Sequence, residues 1–321
     1  MATSRRFLTS IMFQVNKTRA HSSSASKSVS PLVSTSWLAE NLDSSNVTVV
    51  DATWFLNPPG TIPRNGQKEY NDNRIPNARY FDLDAIANQN TKLPHMLPTA
   101  EEFSKHVGNM GISNSDHVVV YDSLGLFSSP RAWWTFRAFG HDAVSVLDGG
   151  FPKWLNENHP VETSAPKEFE PKPYQATYRP DMVIDFKNMF QHVSDFTNPA
   201  NGIVIDARPA PRFAGTAPDP REHLGVQPGH IPSSINLPFM NLVDQETGEM
   251  LPPEKIKQIL RDLRVDTESY RPIITTCGSG TTAAIINLAL AVLGRMNNVI
   301  LYDGSWTEWG MNSKTPKSVF R

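Results

Sequence analysis

"ITTCGSGTTAAIINLALAVLG", residues 274–294, joins a short β-branched run to a long apolar run through six small or hydroxylic residues. A strand closing at Thr276 and a helix opening near Thr281 leave "CGSGTT" as the turn between them. Gly278 and Gly280 permit a tight turn in which backbone N–H groups converge. Those amides, with Thr281 and Thr282 at the helix start, form a concavity that favours negative charge. Cys277, the one cysteine of the chain, opens this turn. A sulfur held there is favoured as thiolate. Free cysteines are often inert core residues, and that is the alternative reading. A core cysteine, however, would sit inside the apolar run rather than at a Gly-Ser-Gly turn. A lone cysteine also excludes an internal disulfide and a cysteine-cluster metal site.

The same unit occurs twice. "VTVVDA" reaches Asp51 and "GIVIDAR" reaches Asp206, 155 residues later. "HVVVYD" places Asp122 where "PIITTC" places Cys277, again 155 apart. "VSVLDGGFPKW" sets Asp148 opposite Asp303 of "VILYDGSWTEW" at the same offset, and "RIPNARY" echoes "HIPSSIN" shifted by 156. Matches in one order at one spacing indicate a duplicated domain. Strands are expected at 47–51, 117–121 and 144–147, and again at 203–205, 272–276 and 298–302. Helices are expected at 99–110, 129–139, 253–263 and 281–293. Strands alternating with helices predict an α/β protein of two tandem domains, each a parallel sheet flanked by helices. Ligands bind such sheets at the C-terminal ends of strands, where Cys277 lies. The polar, Pro-rich stretch 156–180 reads as the connection. The expected division is therefore 31–157 for a first domain, 158–180 for a linker and 181–321 for a second.

Composition narrows the function. Thirty Lys+Arg stand against 32 Asp+Glu in 321 residues, so no nucleic acid or membrane surface is expected as partner. No apolar run approaches the ~20 residues of a membrane span. The first 39 residues hold no Asp or Glu. They carry Arg5, Arg6, Lys17, Arg19 and Lys27, a Ser-rich patch, and Phe7, Ile11 and Val15 at helical spacing. Residues 1–30 are expected to be a mitochondrial transit peptide, with a disordered basic tail as the alternative. The expected location is the mitochondrion, with the cytoplasm as the second location.

Two enzyme classes place a cysteine at a strand–turn–helix junction. Cysteine-dependent phosphatases need an arginine six positions on to grip phosphate oxygens. Ala283 stands there, and the next basic residue is Arg295. The small turn suits a sulfur held as a persulfide instead.

The chain after about residue 31 resembles the tandem-domain rhodaneses, and among them the mercaptopyruvate-type sulfurtransferases. The resemblance rests on "VVDATWFLN", "RIPNARYFDLD", "HMLP", "VVVYD", "SPRAWWTFRAFGH", "LDGGFPKW", "DARPAPRFAGTAPDPRE", "GHIPSSINLPF" and "CGSGTT". Thiosulfate-type loops typically read "CRKGVT" and mercaptopyruvate-type loops "CGSGVT" or "CGTGVT", so Thr281 departs from a usual valine.

The resemblance implies that Cys277 takes sulfur from 3-mercaptopyruvate as a persulfide and releases pyruvate. The sulfur then passes to thioredoxin, a small thiol such as glutathione, or cyanide. No metal or organic cofactor is implied. It also implies that the first domain, with Asp122 in the place of Cys277, roofs the cleft and lends it His95 and Asp84 as partners of Ser279. Asp82 remains the other candidate carboxylate. Arg212 and Arg221 are implied to bind the substrate, since guanidinium forks suit a planar α-keto acid. As loop arginines they are expected to carry little core stability. Thiosulfate:cyanide sulfur transfer and a non-catalytic persulfide carrier are the alternatives. Trp133, Trp134, Trp154, Trp306 and Trp309 are expected to pack between helices and sheet, and His230 to support a turn.

Overall fold

The computed structural model describes residues 29–58, 60–195 and 201–319. The expected transit peptide lies outside the described residues over 1–28.

The first half runs β1 (Leu32–Val33), α1 (Thr35–Asn41), β2 (Val47–Asp51), α2 (Gly66–Asp72), β3 (Arg79–Tyr80), α3 (Ala100–Asn109), β4 (His117–Tyr121), α4 (Ser129–Ala138), β5 (Val144–Leu147) and α5 (Gly150–Asn156). The second half repeats it as β6 (Val183–Ile184), α6 (Phe186–Ser194), β7 (Ile203–Asp206), α7 (Ala210–Ala214), β8 (Ile235–Asn236), α8 (Pro253–Asp262), β9 (Ile273–Thr276), α9 (Ala283–Val292), β10 (Val299–Tyr302) and α10 (Ser305–Met311). The sheets order as β1-β5-β4-β2-β3 and β6-β10-β9-β7-β8. Every strand pairing in both is parallel. The expected strands and helices are present within about two residues of their bounds, the usual scatter at element ends. The two-residue strands and the short helices α1, α2, α5, α6, α7 and α10 carry too little periodicity to have been read.

Alternation along the strands decides the layers. Val118 and Val120 face one apolar cluster, Val119 and Tyr121 another. In the second sheet Ile273 and Ile274 part in the same way. The inner face of each sheet joins one continuous cluster that spans both halves and includes α3, α4, α8 and α9. The outer faces are covered separately, by α1 and α5 on one side and α6 and α10 on the other. The equivalent helices α4 and α9 pack against each other at the centre. Residues 283–291 of α9 are all buried, which is why this helix is apolar all round. The five tryptophans singled out above are at most 3% exposed. Residues 163–179 hold no helix or strand. They are tied along the first half by Lys172 N–H to Gly108 O, Thr177 N–H to Phe139 O and Arg179 N–H to Ala138 O.

Candidate active site between the two halves

Cys277 follows β9, a central strand, and its turn is pinned from below. Its carbonyl accepts from Trp306 N–H and that of Gly278 from Thr307 N–H, both at 3.0 Å. The Thr307 hydroxyl also donates to Gly278 O at 2.6 Å. The Ser305 hydroxyl accepts from Cys277 N–H at 3.3 Å and donates to Tyr302 O at 2.8 Å. Helix α9 begins at Ala283, with Thr281 O and Thr282 O accepting from its first turn. Cys277 is nonetheless only 2% exposed. The small turn is roofed by long side chains from elsewhere in the chain, which local sequence could not show.

The first half shows what such a turn does with its amides. Asp122 Oδ1 accepts from Leu124 N–H at 2.8 Å, and Oδ2 from Phe127, Ser128 and Ser129 N–H at 2.8–3.0 Å and from the Ser129 hydroxyl at 2.6 Å. A carboxylate thus fills the anion-favouring turn after β4 with an internal charge. The equivalent position after β9 holds sulfur.

Two arginines cover Gly278. A Cβ there would lie 3.0 Å from Arg221 Nη1 and 3.2 Å from Arg212 Nη2, so a side chain at this position would press the two guanidinium groups back by a few tenths of an ångström. Asp219, itself buried, orders both: Oδ2 accepts from Arg212 Nη2 at 2.5 Å and Oδ1 from the Arg221 backbone N–H at 3.0 Å. Arg221 Nη2 also donates to Ser279 Oγ at 3.0 Å. Burial pushes the Arg221 guanidinium below its ordinary pKa, against the charges of Asp219 and Cys277. These are not solvated loop arginines, and Arg212 has a structural share through Asp219 that corrects the expectation above. His230 sits behind them, stacked on Phe213 at 3.8 Å with Nδ1 2.8 Å from Phe213 O.

The first half supplies a His–carboxylate pair. His95 Nδ1 lies 3.0 Å from Ser279 Oγ, although 184 residues separate them. Its Nε2 lies 3.1 Å from Asp84 Oδ1. Of the two carboxylates considered, Asp84 is therefore the one at His95. Asp82 instead accepts from the backbone N–H groups of Asp84 and Ala85. Burial pushes the His95 pKa down, opposed by its bond to Asp84 and reinforced by Arg131 and Arg221. The hydrogen bond from His95 holds Asp84 below the usual carboxylate range, with Trp54 adding to it. The pair is thus a neutral imidazole beside a carboxylate.

Three contributors, Trp54, Arg131 and Asp303, were not expected at the site from the sequence, nor was the contact of the expected Thr281 with His95. Trp54 donates Nε1–H to Asp84 Oδ2 at 2.9 Å and meets the His95 ring edge-on at 4.6 Å. The Thr281 hydroxyl lies 3.0 Å from His95 Nδ1. Arg131 on α4 donates to His95 O, to Asp303 Oδ1 at 2.7 Å and to Gly280 O at 3.4 Å. Asp303 Oδ2 accepts from Leu97 N–H at 2.8 Å. These bonds hold His95 at φ 62°, left-handed for a residue with a side chain. Gly280 has φ +77°, and a Cβ there would meet Arg131 Nη1 at 2.6 Å. The available signals were Asp303 as a repeat marker and an arginine set inside the apolar "SPRAWW".

The model of the rhodanese-like domain matches the chain twice, over residues 34–157 and 190–312. The 3-mercaptopyruvate sulfurtransferase of Mus musculus is 39% identical over 289 residues, covering 88% of this chain and 93% of its own length. The thiosulfate sulfurtransferase of Rattus norvegicus is 41% identical over 284 residues, 87% of this chain and 91% of its own. Arabidopsis thaliana "Thiosulfate/3-mercaptopyruvate sulfurtransferase 1, mitochondrial" is 39% identical over 321 residues, covering 94% and 81%. Among solved structures, SseA of Escherichia coli, a 3-mercaptopyruvate sulfotransferase with the rhodanese fold, aligns with a TM-score of 0.75 and 36% identity over 87% of this chain and 99% of its own. With two such domains in tandem, one turn carrying a carboxylate and the other a sulfur, the chain belongs to the rhodanese family.

Proposed function

We propose that the chain takes sulfur from 3-mercaptopyruvate onto Cys277, releases pyruvate and hands the sulfur to a thiol or cyanide. The observation that carries this reading is the pair of guanidinium groups over Gly278. Forked donors beside the nucleophile fit the carboxylate and ketone of an α-keto acid. A thiosulfate-type turn carries its own cations, and here Arg212 and Arg221 occupy the space such a side chain would enter. Relatives bear both names at similar identity, so the donor is argued from the turn rather than from the names.

The Cys277 thiolate attacks the donor sulfur, and the S–S bond forms as the C–S bond breaks. The C–S electron pair moves to carbon, giving the pyruvate enolate. The donor loses its thiol proton and the enolate carbon gains one, so one proton passes from sulfur to carbon. Ser279, His95 and Asp84 form the chain of groups suited to carry it. The outer persulfide sulfur lies in the amide turn, as the Asp122 carboxylate does in the first half. A second thiol attacks that sulfur and restores Cys277. Thioredoxin, a small thiol or cyanide serves as the acceptor. Residues 1–30 act as a mitochondrial presequence, a reading supported by their acid-free basic composition and by the name of the Arabidopsis relative.

The test is purified protein with each donor, scored for pyruvate and for sulfite. Pyruvate release well above sulfite release is expected. Sulfite release equal to or above pyruvate release overturns the donor assignment in favour of thiosulfate.

A further inference from the structure

Two hydroxyls compete for one nitrogen. Ser279 Oγ and Thr281 Oγ1 each lie 3.0 Å from His95 Nδ1. The opposite nitrogen faces the Asp84 carboxylate, so Nε2 carries the proton of the neutral ring and Nδ1 offers a single lone pair. One lone pair accepts one well-aligned hydrogen bond at a time. Ser279 has a second partner, because Arg221 Nη2 donates to its oxygen. That bond leaves the serine proton free to turn either to His95 or into the cleft. Ser279 and Thr281 are each 3% exposed, so bulk water does not readily replace either.

We propose that Thr281 is a second relay hydroxyl, holding His95 Nδ1 whenever the Ser279 proton is turned to the substrate. It acts through His95 and is therefore a positioning residue. The mercaptopyruvate-type loop usually has valine here, which has no hydroxyl. The inference rests on the 3-mercaptopyruvate reading. In that reaction a proton must leave sulfur and reach carbon. With both hydroxyls present, the imidazole keeps its orientation towards Asp84 while one of them serves the substrate. If Ser279 is lost, Thr281 remains as the hydroxyl through which Nδ1 meets the cleft. If both are lost, no hydroxyl is left on that nitrogen.

The experiment is a double-mutant cycle of Ser279→Ala and Thr281→Val, with Thr281→Ser as the conservative control, on protein of matched thermal stability. Valine has the shape of threonine and is the usual residue of the related loop, so folding is preserved. Thr281→Val should lower kcat for pyruvate release about threefold and Ser279→Ala about tenfold. The double variant should lose about a hundredfold or more, beyond the product of the singles, because general acid–base catalysis contributes about 10²–10⁴. Thr281→Ser should match wild type. With thiosulfate, whose sulfite leaves without protonation at carbon, the Thr281→Val loss should be smaller than with 3-mercaptopyruvate. A double loss equal to the product of the singles, or an equal Thr281→Val loss on both donors, overturns the proposal. Wild type that releases sulfite but no pyruvate refutes the donor reading, and the inference with it.

Discussion

Replacing Arg221 by alanine separates the grip on the substrate from the scaffold around it. Its Nη2 lies 3.0 Å from Ser279 Oγ and its Nη1 stands over Gly278, so one side chain serves both the substrate and the relay. A hydrogen bond from a charged donor contributes about 1.5–3 kcal/mol. Truncating one partner of a buried charged contact costs about 2–5 kcal/mol. A loss of about 2–4 kcal/mol in kcat/KM follows, which is about 30- to 1000-fold at ~1.4 kcal/mol per decade. If the guanidinium holds the carboxylate, whose charge does not change, KM rises. If it faces the ketone oxygen, which gains charge as the C–S bond breaks, kcat falls. Stability should hardly move. The bond to Asp219 comes from the Arg221 backbone N–H and survives the substitution, and burial already opposes the guanidinium charge. Arg212→Ala is the contrast, because it removes the Nη2 donor from Asp219, 7% exposed. That change should destabilise by about 1–3 kcal/mol, or roughly 2–4 °C in Tm per kcal/mol for domains of this size. Steady-state pyruvate release and thermal melts on both single variants make the comparison. If Arg221→Ala keeps kcat/KM within about twofold at unchanged Tm, the size of an ordinary surface substitution, the carboxylate is held elsewhere.

The sole thiol makes the covalent step legible: 3-mercaptopyruvate should add about one sulfur mass to the intact protein, and Cys277→Ser should show neither that mass nor turnover. Near-wild-type turnover in Cys277→Ser would refute the nucleophile. Gly278→Arg with Ser279→Lys should displace Arg212 and Arg221 and shift preference to thiosulfate, since a dianion gains charge-assisted bonds in the turn. Loss of mercaptopyruvate activity with no gain on thiosulfate would show that loop charge does not set donor choice. Burial leads the downward pKa shift at His95, His117, His141, His192 and His230. Each takes a proton more readily when unfolded, so these five histidines lower stability as pH drops below about 6.5, opposed by Asp51 and Asp148, which burial raises to about 6 and which take a proton more readily when folded. Five groups against two predict a net fall in the denaturant midpoint from pH 7.5 to about 5.5, and a midpoint that rises would contradict it.

Local pattern carried much of this protein. The β-branched runs ending at Asp51, Asp122, Asp206 and Cys277 marked strands of parallel sheets, and the offset of 155 residues exposed the duplication. The position of Cys277 at a strand end followed from the glycines beside it, because turn, strand and helix start are set by neighbours along the chain. Ser279, His95 and the two arginines entered through family motifs, since nothing in their spacing joins residues 184 apart. The meeting of His95 with Ser279 depends on the packing of the halves, α4 on α9, which sets the loop of one half over the turn of the other. Folding within the first half selected Asp84 rather than Asp82 beside His95, folding within the second set Arg212 and Arg221 over the turn, and the docking of the two brought His95 to Ser279 and Arg131 to Gly280 and Asp303. Periodicity along one chain encodes which face of an element is apolar, whereas hydrogen bonds between distant side chains are decided only when those faces dock.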